Sequence, residues 1–312
     1  MSSELGADLA RRLDRESKPG QLIGLDLAPP PYRLRRMRFV KADLRHPNAS
    51  EVVRRLEPEV VVHLALRVSS ATENRRLAHE LNVVGTMNLL AGARTAERIV
   101  LKSSSAVYAS GLQMPSLLRE DDAARRAPPG PGGRDLLEVE SLLNDHYLAN
   151  PGRTVTVLRF GHRLGSRRSR SSPLADYLSL PRPPTVPGFD PRIQLLAEED
   201  ALEALHRAAV ADHAGTFNVG GHGVILLSQL LQLAGRSSAP LLPPVGGGFL
   251  QAQAYRAITG RVPHEYLLEL VTGGQVADTA RLLHEFGWQP PRSSKEVAAA
   301  FFALPTDLAR TG

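Results

Sequence analysis

EVVVHLAL, residues 59–66, is a largely apolar run built on the β-branched Val60, Val61 and Val62. Such a run reads as a strand buried on both faces, the habit of parallel sheets covered by helices. Outward from it, segments alternate. NVVGTMNLLAGARTA (82–96) predicts a helix and RIVLKSSSAVY (98–108) a strand. RDLLEVESLLNDHYL (134–148) predicts a helix with Leu136, Val139 and Leu143 on one face, and TVTVLRF (154–160) a strand. Toward the N-terminus, MRFVKADL (37–44) and QLIGLDL (21–27) predict two strands, with a helix over 49–56. Ser2 or Ser3 can cap a first helix whose apolar face is Leu5, Leu9 and Leu13. The alternation predicts an α/β fold on a doubly wound parallel sheet. Later, TFNVGG (216–221) reads as a strand, with helices over 228–236 and 249–258 and a last one from about Ser293. Residues 121–133 and 166–192, charged and rich in Pro, Gly or Ser, are expected as loops.

Composition narrows the function classes. The chain has 312 residues and no cysteine, which excludes disulfides and thiolate metal sites and fits a reducing cytoplasm. No apolar run approaches the roughly 20 residues of a membrane span, and MSSELGADLARRLDRES lacks the apolar core of a secretion signal. The expectation is a soluble cytoplasmic protein without a membrane partner. The net charge of +6 comes from 38 basic and 32 acidic residues, and only Lys18, Lys41, Lys102 and Lys295 among the basic ones are lysines. The densest basic stretches, Arg33–Arg38 and Arg163–Arg170, contain no aromatic residue for base stacking. They are expected as solvated loops, with no nucleic-acid partner. Neither a zinc-protease H-E-x-x-H nor a G-x-S-x-G elbow occurs, and Gly246–Gly248 open onto no P-loop lysine. His63, His162 and His206 are lone histidines, so no metal is expected.

Ordered landmarks carry a resemblance. SSELGADLARRL looks like the end of a glycine-rich turn and its helix, GLDL places Asp26 at a strand tip, and KADLR contains Asp43 and Leu44. VVVHLA ends at Ala65, NVVGTMNLLAGA is led by Asn82, and SSSAVY, VLRFGHRLG, FNVGG and FGWQP follow in order. Together they resemble the extended short-chain dehydrogenase/reductase family, of the NAD-dependent epimerase/dehydratase type, over nearly the whole chain. The resemblance implies a Rossmann-like core over residues 1–160. Residues 161–312 are then a mixed region, a small substrate lobe plus returning core elements. It implies a small-molecule ligand, nucleotide-sugar-like, and a homodimer formed through two long helices beside the sheet. Cofactor contacts are expected from Ser3, Gly6, Asp26, Asp43, Leu44, Ala65 and Asn82. A helix N-terminus attracts pyrophosphate. An acid about 20 residues past the glycine turn accepts from the adenosine ribose hydroxyls and repels a 2′-phosphate, so NAD is expected over NADP if a cofactor binds at all.

The sequence departs from that pattern twice. With Gly6 as the third glycine of the family's turn, Ser3 stands at the second, and the first glycine and the strand before it are missing. Three explanations stay open: the strand is encoded upstream of Met1, its two neighbours close up and pair, or another segment or chain supplies it. The family's catalytic Ser, Tyr and Lys are also incomplete. Ser104, four residues before Tyr108, matches the serine. Gly132 and Leu136 fall where Tyr and Lys belong, and residues 119–146 contain neither Tyr nor Lys. Gly cannot exchange a proton and Leu cannot stabilise a phenolate, so ordinary hydride chemistry, in which proton transfer contributes about 10²–10⁴-fold, is expected to be lost. Asp135 is a replacement acid/base candidate, with Arg134 beside it as an anion clamp, and Lys102, on one strand face with Ser104, a replacement cation. The readings are a degenerate epimerase/dehydratase-like binding protein, a non-redox isomerase, lyase or cyclase using the old cleft, or a conventional nucleotide-sugar epimerase or reductase.

Overall fold

The structure, a computed structural model, describes residues 3–18, 21–68, 75–108, 115–124, 131–150, 152–165, 173–241, 248–263 and 265–303. It opens with α1 (Glu4–Glu16), β1 (Ile23–Asp26), β2 (Arg38–Lys41), α2 (Ala49–Leu56) and β3 (Val60–His63). Next come α3 (Arg75–His79), a π-helical turn over Glu80–Val84, α4 (Gly85–Gly92), β4 (Arg98–Ser104), α5 (Pro131–Ala149) and β5 (Thr154–Phe160). Four parallel strands lie in the order β10-β5-β4-β3, where β10 is Gly215–Val219. The expected parallel α/β fold is the one observed.

Helices cover both faces. On one, Leu89 of α4 and Leu136, Val139 and Leu143 of α5 pack with Val61, Ile99, Leu101 and Val157. On the other, Leu9 of α1 and Ala201, Ala204, Leu205 and Ala208 pack with Val100, Leu158 and Phe160. Burying such apolar area contributes roughly 25 cal/mol per Å². α2 and α4 meet at Gly92, where a Cβ would lie 2.4 Å from the Ser50 carbonyl oxygen, so only glycine allows this approach.

β1 and β2 form a separate parallel pair. Among the described residues β1 pairs only with β2, and β3 only with β4, so the two strands do not close on each other. Direct pairing, one of the three explanations, is therefore overturned. α1 bridges the two pieces. Its Leu9 packs with the four-stranded sheet, and its Asp14 carboxylate accepts from the Arg36 and Met37 N–H groups, each at 2.8 Å, just before β2.

A smaller lobe has its own core, including Leu164, Tyr177, Ile193, Leu230 and Val271. Its elements are β6 (His162–Leu164), α6 (Pro173–Leu178), β7 (Pro184–Thr185), β8 (Arg192–Ile193) and β9 (Leu195–Ala197). The chain then returns to the main sheet through α7 (Glu198–Val210) and β10. β11 (Ile225–Leu226), α8 (Leu227–Leu233), β12 (Ala239–Pro240), α9 (Gly248–Thr259), α10 (Glu265–Gly273), α11 (Ala280–His284) and α12 (Ser294–Ala303) finish it. No helix among the described residues is long and apolar enough to cross a membrane.

Several expectations are corrected. Helix also precedes Asn82: α3 covers Arg75–His79, with Ala78 buried, and the π-helical turn carries it on to α4. The strand expected over 98–108 ends at Ser104, whose Oγ caps a 3-10 turn over Ser105–Val107. Residues 121–133 are not one loop: Glu120–Ala124 form a 3-10 turn and α5 starts at Pro131, a residue suited to a helix's first turn. Likewise 166–192 contains α6 and β7. α7 carries little sequence signal, since its core face is mostly alanine.

Candidate functional site

In open α/β sheets ligands sit beyond the carboxyl ends of the strands, and several sequence-predicted residues lie there. Asp26 ends β1, and its Oδ1 accepts from the Leu27 N–H at 2.7 Å. Asp43 lies just past β2, and the Arg45 guanidinium donates to it at 2.6 Å and 3.0 Å. That hydrogen bonding holds the Asp43 carboxyl below its ordinary range and keeps it anionic. Leu44 is buried, and its carbonyl accepts from Asn88 Nδ2 at 2.8 Å. Ala65, after β3, packs against the core beneath it.

Asn82 sits in the π-helical turn and is 0% exposed. Its Oδ1 accepts from the Arg67 N–H at 2.9 Å and its Nδ2 donates to the Arg67 carbonyl at 2.8 Å. One side chain thus satisfies both backbone groups of the segment that follows β3, which fixes that segment's path. The π-turn shifts Asn82 out of regular helical register toward it.

At the start of α1, Ser3 is the N-cap, and its Oγ accepts from the Gly6 N–H at 3.2 Å. Gly6 is buried in the first turn. A helix N-terminus offers only a few orphan N–H groups, and Ser3 uses the one on Gly6. An NAD-like group therefore fits in part. The acids at the ends of β1 and β2 suit its adenosine end. The α1 terminus does not offer the Gly6 donor to a pyrophosphate.

β4 carries the polar residues of the cleft on alternate faces. Ser103 turns toward α5, donating from Oγ to Glu140 Oε1 at 2.5 Å. Lys102 and Ser104 turn to the opposite face, where Val100 lies and where their β5 partners are Leu158 and Phe160. Ser104 Oγ accepts from the Ala106 N–H at 3.2 Å, leaving its hydroxyl proton to donate. Burial, reinforced by the Arg163 charge, lowers the Lys102 amine to about 7. His63, at the end of β3, is lowered to about 4 by burial and then by Lys102. The Thr86 hydroxyl donates to the Asn82 carbonyl at 2.5 Å, so the His63 Nε2–H donates to Thr86 Oγ1, at 2.9 Å, and His63 is neutral. Arg163, expected in a solvated loop, lies on β6 with Glu198 and Glu4 nearby.

α5 carries the positions expected to lack their catalytic groups. Gly132 is buried, and Leu136, 1% exposed, belongs to the apolar core. Asp135 is buried beside them; His79 Nδ1 bonds its Oδ1 at 2.9 Å, and Asn82 Nδ2 donates to its Oδ2 at 3.5 Å. Hydrogen bonding to Asp135 raises the His79 pKa. Ligand atoms of His79, Asp135 and Glu138 lie within 4.8 Å of one another. His79 is 56 residues before Asp135, so no sequence spacing points to the group. The His79–Asp135 bond already accounts for the two inner members.

Tyr108 is not placed for acid/base chemistry. Its hydroxyl donates to Asn218 Oδ1 at 2.6 Å and accepts from Arg159 Nη1 at 2.9 Å, and burial pushes it up to about 12. Arg159 also pairs with Glu140, Nη2 to Oε2 at 2.6 Å. This buried network joins β4, β5, β10 and α5 and reads as architecture.

The fold defines a Rossmann-like parallel α/β protein with a smaller second lobe. The chain belongs to the NAD dependent epimerase/dehydratase family, whose model matches residues 3–220, and with it to the extended short-chain dehydrogenases/reductases. An uncharacterised protein of Mycobacterium tuberculosis is 36% identical over 306 residues, covering 96% of this chain and 80% of that protein. The UDP-glucose 4-epimerase of Thermotoga maritima, solved with UDP-glucose, superposes with a TM-score of 0.73 at 17% identity, covering 96% of this chain and 95% of that one. The dTDP-glucose 4,6-dehydratase of Bacillus anthracis, solved with NAD, superposes with a TM-score of 0.67 at 13% identity, covering 96% and 93%.

Proposed function

We propose that this chain is an epimerase/dehydratase-family protein that keeps the family's ligand cleft but does not run hydride transfer through a Tyr–Lys pair. The observation that carries this reading is Leu136, which occupies the helical position where a cleft lysine is needed and is instead part of the apolar core. Gly132, one turn earlier, has no side chain to titrate. The ligand class is a nucleotide sugar, by analogy with the UDP-glucose held by the Thermotoga maritima epimerase. Asp26 and Asp43 favour NAD over NADP at the adenosine end, with Leu44, Ala65 and Asn82 shaping the cleft beside them. Ser3 and Gly6 weaken the phosphate end. Ser104 remains to donate to a ligand oxygen. When bound, NAD would supply a hydride acceptor; the residues of this chain only seat and orient it.

Fluorescence titration of NAD(H), NADP(H) and UDP-glucose tests this. NAD is expected to bind more weakly than about 0.1 mM, with no interconversion of UDP-glucose. Micromolar NAD binding with turnover overturns the reading in favour of a conventional epimerase or reductase.

The helical stretch from α3 through the π-turn into α4 exposes Leu77, Val84 and Met87, the last at 52%. These side chains support the second part of the proposal, a homodimer through the helices beside the sheet.

A further inference from the structure

We propose that Lys102, on the sheet, is the proton-exchanging side chain of the cleft, in the role left open by Gly132 and Leu136 on α5. The inference rests on the reading above that the cleft takes a nucleotide-sugar-like ligand. Its basis is placement. Lys102 stands on β4 two residues before Ser104, on the same face, near the carboxyl end where ligands of such sheets bind. Its β5 neighbour is Leu158 and the preceding residue on its face is Val100, both fully buried. An ammonium on an apolar layer normally demands a carboxylate, yet Lys102 has none among the described residues. The charged group that acts on it is the Arg163 guanidinium. His63, on β3, is neutral and spends its Nε2–H on Thr86. Glu4 and Glu198 lie by Arg163 and act on that residue. A purely structural lysine on such a layer would be paired with an acid, whereas Lys102 is half-buried and keeps the partial exposure that a ligand-facing amine needs. An unpaired amine pressed toward neutrality in a cleft is the arrangement acid–base chemistry uses.

Burial and Arg163 bring the amine to about 7, so both protonation states are populated at neutral pH. The neutral Nζ can take a proton from a ligand hydroxyl or from a carbon next to a carbonyl. The bonding pair then remains on the ligand oxygen, and the ammonium returns the proton to oxygen or to another carbon. No oxidant is consumed, so the chemistry is isomerisation or elimination and does not depend on a tightly held NAD.

The chain has only four lysines, which makes the test direct. The whole protein is treated with pyridoxal 5′-phosphate and borohydride from pH 6 to 10, and labelled peptides are quantified by mass spectrometry. The amine adds to the aldehyde carbon, water leaves, and borohydride delivers hydride to the imine carbon. At pH 7, Lys102 is expected to label at least about tenfold faster than Lys18, Lys41 or Lys295, because a far larger fraction of it is neutral. Its rate is expected to level off just above pH 7, and UDP-glucose is expected to slow it. Calorimetry in two buffers of different ionisation enthalpy should show fractional proton exchange when UDP-glucose binds at pH 7, absent in Lys102→Met and Lys102→Arg. A Lys102 that labels only as fast as the others, or stays inert at every pH, overturns the inference, as does unchanged proton exchange in both variants. If Lys102 labels selectively but UDP-glucose neither binds nor protects, the parent reading of the ligand fails while the assignment of the amine stands.

Discussion

At the residue scale, Lys102 and Leu136 sit in opposite settings: Leu136 on α5 lies in the apolar core, whereas Lys102 places an amine on an apolar strand face. The stability consequence of Lys102 has a definite sign. Its folded pKa, about 7, lies below the unfolded value. The unfolded chain therefore binds more protons between those values, and stability rises as pH climbs from about 7 toward 10. Lys102→Met should accordingly be more stable than the wild type at pH 6, by several kcal/mol, with the gap narrowing by pH 10. Urea unfolding at the two pH values reads this directly; equal gaps at both would mean the amine titrates normally. Leu136→Lys, designed to restore the family's cation, is expected to destabilise by several kcal/mol rather than restore redox activity, because it places an unpaired charge in the core. Leu136→Ala should cost about 2–5 kcal/mol, as a cavity does.

At the element scale, α5 is anchored by two polar ties. Glu140 receives Ser103 and Arg159, and removing its carboxylate leaves the buried Arg159 charge uncompensated. Glu140→Ala should cost about 3–5 kcal/mol, measurable as a lowered midpoint of thermal unfolding, with both β4 and β5 losing amide protection. The second tie is His79 to Asp135, linking α3 to α5. His79 has a raised folded pKa, so its contribution is present below the unfolded value and is lost as pH rises through the folded one. With the His79 side chain 47% exposed, screening limits that contribution to about 0.5 kcal/mol. In Asp135→Asn the imidazole NMR titration should move back down to the ordinary range; an unmoved midpoint would rule out the pairing in solution.

At the scale of the whole molecule, the sheet is two pieces held on common helices. β3, β4, β5 and β10 share ladders, whereas β1 and β2 pair only with each other among the described residues. Two-stranded units are marginal by themselves. Native-state hydrogen exchange should therefore show β1 and β2 opening at lower free energy than β4 and β5; uniform protection across both pieces would contradict the split. The exposed Leu77, Val84 and Met87 give the other molecular-scale expectation. Met87→Arg should shift the chain from dimer to monomer in light scattering, with little loss of monomer stability.

How much of this was legible follows from what local sequence encodes. EVVVHLAL, RIVLKSS and TVTVLRF read as buried parallel strands because a β-branched run has few other ways to satisfy its surface, and the order of motifs placed the chain in its family. Asp26, Asp43, Asn82, Ser104 and Gly132 could be located by their offsets from those strands. α7 escaped because a face of alanines carries little hydrophobic contrast, although Ala201, Ala204 and Ala208 are what let α7 lie close to the sheet. The His79–Asp135 bond, the doubled grip of Asn82 on Arg67 and, among the described residues, the absence of a carboxylate beside Lys102 are relations between distant segments. They exist only once crossovers bring those segments to one edge of the sheet. The sequence by itself determined the strands, the family and the absence of Tyr and Lys from residues 119–146, since these are local patterns. The tertiary structure alone decided that, among the described residues, β1 and β3 do not pair and Lys102 has no carboxylate partner on its apolar face, because electrostatic environment and edge pairing are set by neighbours in space.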